Sequence, residues 1–142
     1  MKLIYSLSIL LILSACSGSD QSSGSNAAGF EDFEAFYQRF HADSLFQMEH
    51  IAFPLAGLPT HADSLEDGKS FFWQEDNWVL HRAFDNSLTG YERSRKRFES
   101  DIIVETIVQK DTDIGMIRRF VKMDDEWMLI YYAAMNQFEP QN

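Results

Sequence analysis

The chain has 142 residues, 45% of them hydrophobic and 14% aromatic, with a formal net charge of −10. That length supports one domain with one core, and that apolar fraction excludes a disordered chain. With 22 Asp and Glu against 12 Lys and Arg, the surface repels phosphate backbones, so nucleic acid is not an expected partner.

The chain opens on MKLIYSLSILLILSAC, with one positive residue, Lys2, before an apolar run from Leu3 to Leu13. The run is shorter than the ~20 residues a spanning helix needs. It predicts a secretory signal peptide over residues 1–15. The lone cysteine, Cys16, directly follows Leu13, Ser14 and Ala15. This stretch resembles the lipobox of bacterial lipoproteins. The resemblance implies cleavage before Cys16 and acylation at that residue, with the membrane as a partner through the lipid anchor. The alternative is an ordinary signal peptide followed by a stray cysteine. One cysteine allows no disulfide within the chain and no Cys-type zinc cluster.

Ser17 to Gly29, SGSDQSSGSNAAG, has no large apolar residue and predicts a flexible tether, so residues 16–29 form the lipidated cysteine and its linker. The expected location is the bacterial cell envelope, anchored in the outer membrane, with the domain in the periplasm or on the surface. No strongly acidic run follows Cys16 to signal export.

Residues 30–142 predict a single α+β domain. Phe30, Phe33, Phe36, Tyr37 and Phe40 recur at helical spacing. Glu31, Asp32 and Glu34 lie in the first turn of that helix and Arg39 and His41 in its last, as the helix dipole prefers. Asp43 and Ser44 predict a turn. Leu45 to Phe53 reads as a strand ending at Pro54, and Leu55 to Ser70 as a loop. FFWQEDNWVLHRAF, from Phe71, predicts one long or two short strands. SLTGYERSRKRFES, from Ser87, predicts a loop and a short helix. Its basic cluster, Arg93 to Arg97, reads as a solvated helix face, with contact to anionic headgroups as the alternative. Three strands follow, from Asp101, Ile114 and Trp127, separated by the acidic turns DTD and DDE. A helix first and an antiparallel meander last predict an N-terminal helix packed on a curved, mainly antiparallel sheet.

HADSL occurs twice, at His41–Leu45 and His61–Leu65. The flanking residues differ, so it is not an internal repeat. His41, Asp43, His61 and Asp63 have zinc-ligand chemistry but no preset geometry, and no metal is expected. A Ser–His–Asp triad is recognised by geometry, which these letters do not supply. Loops starting at Asp63 and Asp111 lack the oxygen ligands an EF-hand needs at its third and fifth positions, respectively.

The final sheet holds a more pointed arrangement. With even-length turns, Glu105 faces Arg118 and Arg118 faces Tyr131, a polar row across three strands. Ile103, Ile107, Met116, Phe120, Leu129 and Ala133 share its face. Ile102, Val104, Ile117, Val121, Met128 and Ile130 fall on the other, which must also line a pocket, receive loops or meet a partner. Glu105, Arg118 and Tyr131 are therefore the candidate ligand-contacting residues, on the floor of a pocket. The competing reading is a plain cross-strand ion pair with a stacked tyrosine. A turn of odd length slips the register by one and places Arg119 opposite Glu105. His50 and His81 read as packed histidines, and Trp73, Trp78 and Trp127 as core rather than a glycan platform.

Phe33, Phe36, Phe40, Asp43, Phe46–Gln47, Phe53–Leu55, Asp76–Trp78 and the late EWMLIYY resemble a family of small Bacteroidetes lipoproteins with a domain of unknown function, over nearly all of residues 30–139. More distantly, the element order is similar to the cone-shaped nuclear transport factor 2-like and cystatin-like α+β folds. Ketosteroid isomerase shares that cone, but its Asp base and Tyr/Asp donors have no matching positions here, so no catalytic residue carries over. The expected function is non-catalytic, a lipid-anchored envelope domain binding a small ligand or a partner protein, with no cofactor. The alternative is a cone-shaped enzyme using a buried carboxylate for acid–base chemistry. A third reading is an assembly protein acting through an open sheet face.

Overall fold

The computed structural model describes residues 30–62, 70–99 and 101–138. The expected signal peptide, Cys16 and the tether lie outside the described residues, as do Asp63, Ser64 and Leu65 of the second HADSL. Helix α1 spans Glu31–Ala42 and α2 spans Ser44–Glu49. The strands are β1 (Ile51–Leu58), β2 (Phe71–Trp73), β3 (Tyr91–Phe98), β4 (Ile102–Gln109), β5 (Ile114–Met123) and β6 (Glu126–Gln137). They form one sheet in the order β2-β1-β6-β5-β4-β3, antiparallel throughout except for the parallel pair β1–β6.

The aromatic stripe of α1 lies flat on this sheet. Phe33, Phe40, Phe120 and Leu129 are fully buried. Phe33 meets Phe120 and Trp127 edge-on, each with ring centroids 5.1 Å apart. Asp43 ends α1 and caps α2, its carboxylate accepting from the N–H groups of Leu45 (3.0 Å) and Phe46 (3.1 Å). That cap explains why Leu45–Glu49 is helical and not the strand its composition predicts. The strand begins two residues later, at Ile51, and runs through Pro54 into the expected loop. Pro54 falls where the β1–β6 register is interrupted, so its missing N–H breaks no regular ladder. Phe71–Phe84 likewise yields only the short β2 and a single turn of 3-10 helix at Glu75–Asn77.

The largest departure is β3. Tyr91–Phe98 is a strand, not a loop and helix, and its arginines are not a solvated helix face. Arg93, Arg95 and Arg97 are half-buried, while Glu92, Ser94 and Lys96 are exposed. The period of two is present, but guanidinium groups carry it in place of apolar side chains.

The meander matches its expected strands and turns. Glu105 pairs with Arg118, and the β5–β6 hairpin closes through Asp124 and Asp125, both at positive φ. A bulge then changes the row. Phe120 pairs with Leu129, but Arg119 pairs with Tyr131, leaving Ile130 as an extra residue on β6. Arg118 therefore faces Tyr132, and the expected Tyr131 turns to the other face, where the Arg119 guanidinium lies 4.8 Å from its ring centroid. Gly57 is required at the β1–β6 seam, because a Cβ there would lie 1.9 Å from the Tyr132 carbonyl oxygen.

The two faces differ in cover. Ile103, Glu105 and Ile107 are buried beneath α1 and the loops, whereas Ile102, Val104, Ile117, Val121, Met128 and Ile130 remain half-buried on the outer face. This predicts opposite responses from adjacent residues. Ile103→Thr loses packing and buries a hydroxyl, and should cost about 3 kcal/mol. Val104→Thr keeps its hydroxyl near water and should cost about 1 kcal/mol or less. Urea denaturation of both variants measures the difference; equal costs would contradict the assignment of faces.

Candidate functional site

Strand register brings the ionic cluster together. Arg95 of β3, Glu105 of β4 and Arg118 of β5 stand side by side on the inner face. The Glu105 side chain is fully buried and both its oxygens are engaged. Oε1 accepts from Arg95 Nε at 3.2 Å, with Arg93 Nη1 at 3.9 Å, and Oε2 accepts from Arg118 Nη1 at 3.1 Å.

Helix α1 closes this cluster from above. Glu34 pairs with Arg95 Nη1, and the Tyr37 ring lies 4.0 Å from the Arg95 guanidinium. Burial works against the Arg95 charge, but Glu105 and Glu34 more than offset it and hold the group above its ordinary pKa. Farther along the helix, Asp32 pairs with Lys122 at 3.1 Å and Arg97 at 3.6 Å.

Two neutral histidines border the arginines. His41 Nδ1 lies 2.8 Å from the Tyr37 carbonyl, so it carries the proton and donates. That leaves Nε2 to accept from Arg118 Nη1 at 2.9 Å. Burial, then the Arg118 charge, pushes His41 down to about 4. The His81 ring packs 4.4 Å from Tyr132 and 4.5 Å from Trp78. Burial, with Arg118 and His41 adding to it, pushes His81 down to about 3. Burial raises the Tyr132 phenol, against the pull of Arg118.

Gln47 fixes the neighbouring loop. Its Nε2 donates to the carbonyls of Phe40 (2.7 Å) and His81 (2.8 Å). Its Oε1 accepts from His81 N (2.7 Å) and Trp78 Nε1 (3.3 Å). Four bonds use the whole capacity of the amide, and they hold residues 78–81 against the two helices.

Beyond His81 this segment walls a cavity of about 390 Å³. Phe84, Leu88, Ile107, Met116 and Met135 give it apolar walls, with Arg82 and Asp85 also on its lining. Both are exposed, whereas Arg118, the remaining charged group there, is only 4% exposed. Arg118 Nη2 meets only Met116 Sδ, at 3.7 Å, and Nε has no hydrogen-bond partner among the described residues. A broader cleft of about 940 Å³ lies between the end of α1 and residues 78–83. Its Gln47 and His41 are already fully bonded, and its His81 Nδ1 has no hydrogen-bond partner among the described residues, but only the smaller of these two has a buried cation, Arg118, on its lining.

Of the three expected contact residues, Arg118 lines the cavity, Glu105 lies behind it as the partner of Arg118, and Tyr131 is on the opposite face. Reasoning from sequence missed Arg95, Gln47 and Tyr132. The R-x-R-x-R alternation was the signal for Arg95; Gln47 lies within the Phe46–Gln47 pair already noted for its resemblance. Among the described residues no group of three His, Cys, Asp or Glu is placed to hold a metal. His50 stacks on Phe46 at the end of α2, and Trp73, Trp78 and Trp127 pack on the core.

No protein-family model and no curated protein matches the chain. Among solved structures, a cystatin-like protein from Bacteroides caccae superposes with a TM-score of 0.54 at 20% identity, covering 72% of this chain and 74% of that one. An NTF2-like protein from Bacteroides fragilis superposes with a TM-score of 0.50 at 18% identity, covering 76% of this chain. This chain spans 48% of that protein's length. Similarity at this level shows architecture and not activity: the chain has an NTF2-like α+β fold.

Proposed function

We propose that this chain is a non-catalytic binding domain of the bacterial cell envelope, tethered by lipid at Cys16 and taking a small ligand into the cavity beside Arg118. The observation that carries the binding reading is a cavity with apolar walls, one buried cation and unused donors on that cation. A concave apolar surface with a few placed polar groups is the ordinary make-up of a ligand site, and this one is open on the side of Arg82, Asp85 and Leu88. The lipobox-like stretch and the Ser/Gly linker support the envelope location.

The alternative, an enzyme built on a buried carboxylate, has less support. A general base needs a free lone pair within reach of a substrate proton. Glu105 directs both oxygens at arginines and stands behind Arg118. The acid on the cavity lining, Asp85, is exposed, and its bonds from Ser87 hold its pKa below the usual carboxylate value.

Three outcomes test this reading. A thermal-shift screen of metabolites, glycans and lipids against the chain from Ser17 onward should find at least one stabilising ligand whose effect is lost in Met135→Trp, which fills the cavity. Shifts unaffected by that change would overturn the site. Glu105→Gln should lower stability by about 3–5 kcal/mol, because it leaves buried arginines uncompensated; a catalytic carboxylate would instead tolerate the change in a folding assay.

The third outcome concerns pH. The unfolded chain takes up protons at His41 and His81 near pH 6.5, whereas the folded pKa values are about 4 and about 3. Stability should therefore be complete above pH 6.5 and decline below it, by up to about 1.4 kcal/mol per pH unit for each histidine. His81→Phe, which keeps the ring packing, should roughly halve the slope between pH 6.5 and 5. An unchanged slope would show that His81 contributes nothing to it.

A further inference from the structure

We infer that the ligand of this cavity is an amphipathic monocarboxylate, its carboxylate held side-on by Nε and Nη2 of Arg118 and its apolar body packed among Ile107, Met116 and Met135. The inference rests on the binding reading above and specifies its ligand.

Guanidinium geometry supplies the first step. Nη1 of Arg118 is saturated by Glu105, His41 and Tyr37. The hydrogens of Nε and Nη2 lie parallel on the adjacent edge, the fork that matches the two oxygens of a carboxylate. On that edge Nε has no partner among the described residues, and Nη2 has only the weak thioether acceptor of Met116, itself part of the cavity wall. A fully bonded Nη1 holds the plane of the group, so the unpartnered edge is preset rather than mobile, with Nε itself buried.

Charge and shape narrow the class. The cluster around Glu105 sets Arg93, Arg95 and Arg118 against Glu105 and the exposed side chain of Glu34, leaving one positive charge in excess. His41 adds none, since its Nε2 accepts from Arg118. One excess charge balances a monoanion. At the lining, Asp85 and Arg82 are both exposed to solvent and of opposite sign, so they add no net charge to the site. Apart from the phenol of Tyr91, the remaining walls are hydrocarbon and thioether, which suit an alkyl chain or ring and give a polar body few partners. The volume of about 390 Å³ lies in the lower part of the usual range for small-ligand sites.

The test is calorimetric titration of the chain from Ser17 onward, near pH 7.5, with octanoate and with 1-octanol, which shares the chain but lacks the charge. Octanoate should bind saturably and at least about tenfold more tightly than the alcohol. Arg118→Lys keeps the charge beside Glu105 but loses the fork, and should remove most of that preference. Since a variant at a buried arginine can fail to fold, Met135→Trp serves as the second. It leaves Arg118 and Glu105 untouched and should abolish binding of both probes. Equal binding of octanoate and octanol, both lost in Met135→Trp, would overturn the carboxylate inference and leave the cavity reading standing. Octanoate binding that survives Met135→Trp, or binding of neither probe, would overturn the inference and count against the cavity as well.

Discussion

The buried Glu105 carboxylate is the constraint on which the rest of the structure depends. An ion of this kind is tolerated inside a protein only when its partners are fixed around it. Here they come from both neighbouring strands, Arg95 on β3 and Arg118 on β5, directly across in register. A slip of one residue in one direction would bring Arg119 or Lys96 opposite Glu105 in place of Arg118 or Arg95, so a cation would still face the carboxylate, but every apolar neighbour on the slipped strand would change face. The native register is the one that satisfies the ionic row and the apolar pattern together. The row also orients Arg118, because Nη1 cannot serve Glu105 and His41 unless the guanidinium lies in one plane.

The helices complete what the sheet begins. Glu34 and Tyr37 of α1 take the outer side of Arg95, and the Tyr37 carbonyl sets the tautomer that lets His41 accept from Arg118. Asp43 turns the chain from α1 into α2 and so delivers Gln47 to the interior. Gln47 in turn anchors Trp78 and His81, just before the residues that wall the cavity. The cavity shape is thus set by a run of satisfied polar contacts from Asp43 through Gln47 to His81, not by apolar packing alone.

Where the architecture was legible in the residues, hydrophobic period carried it. Phe33, Phe36, Tyr37 and Phe40 announce α1, and the aliphatic runs with their acidic turns announce β4, β5 and β6, including the Glu105–Arg118 pair. Four features escaped for four physical reasons. Strand β3 alternates in charge rather than hydropathy, and a partly buried arginine is readable only once its carboxylate is located. Helix α2 is six residues long, too short for a periodic signal, and depends on a cap that reads equally as a turn. The exchange of Tyr131 for Tyr132 arises from one bulged residue, Ile130, which no pattern of period two can register. The cavity itself was illegible because an irregular segment, residues 78–90, forms much of its wall.

The distribution of charge bears on how such a site discriminates. The chain is acidic overall, yet its inner face gathers Arg93, Arg95, Arg97 and Arg118 beneath a helix whose first turn is acidic. Beyond a Debye length, about 8 Å at physiological salt, the surface charge that a ligand meets is screened and of the wrong sign to attract an anion. The Arg118 fork acts only at contact, in a low dielectric where its hydrogen bonds are strong and an unmatched group is costly. A ligand bound there would gain little from electrostatic steering, and its selectivity would rest on the final desolvated fit, which requires shedding water from both a charged head and an apolar body. The outer face, lined by the half-buried Val104, Ile117 and Ile130, has no comparable charge at depth among the described residues, whereas the inner concavity sets apolar walls beside the buried Arg118.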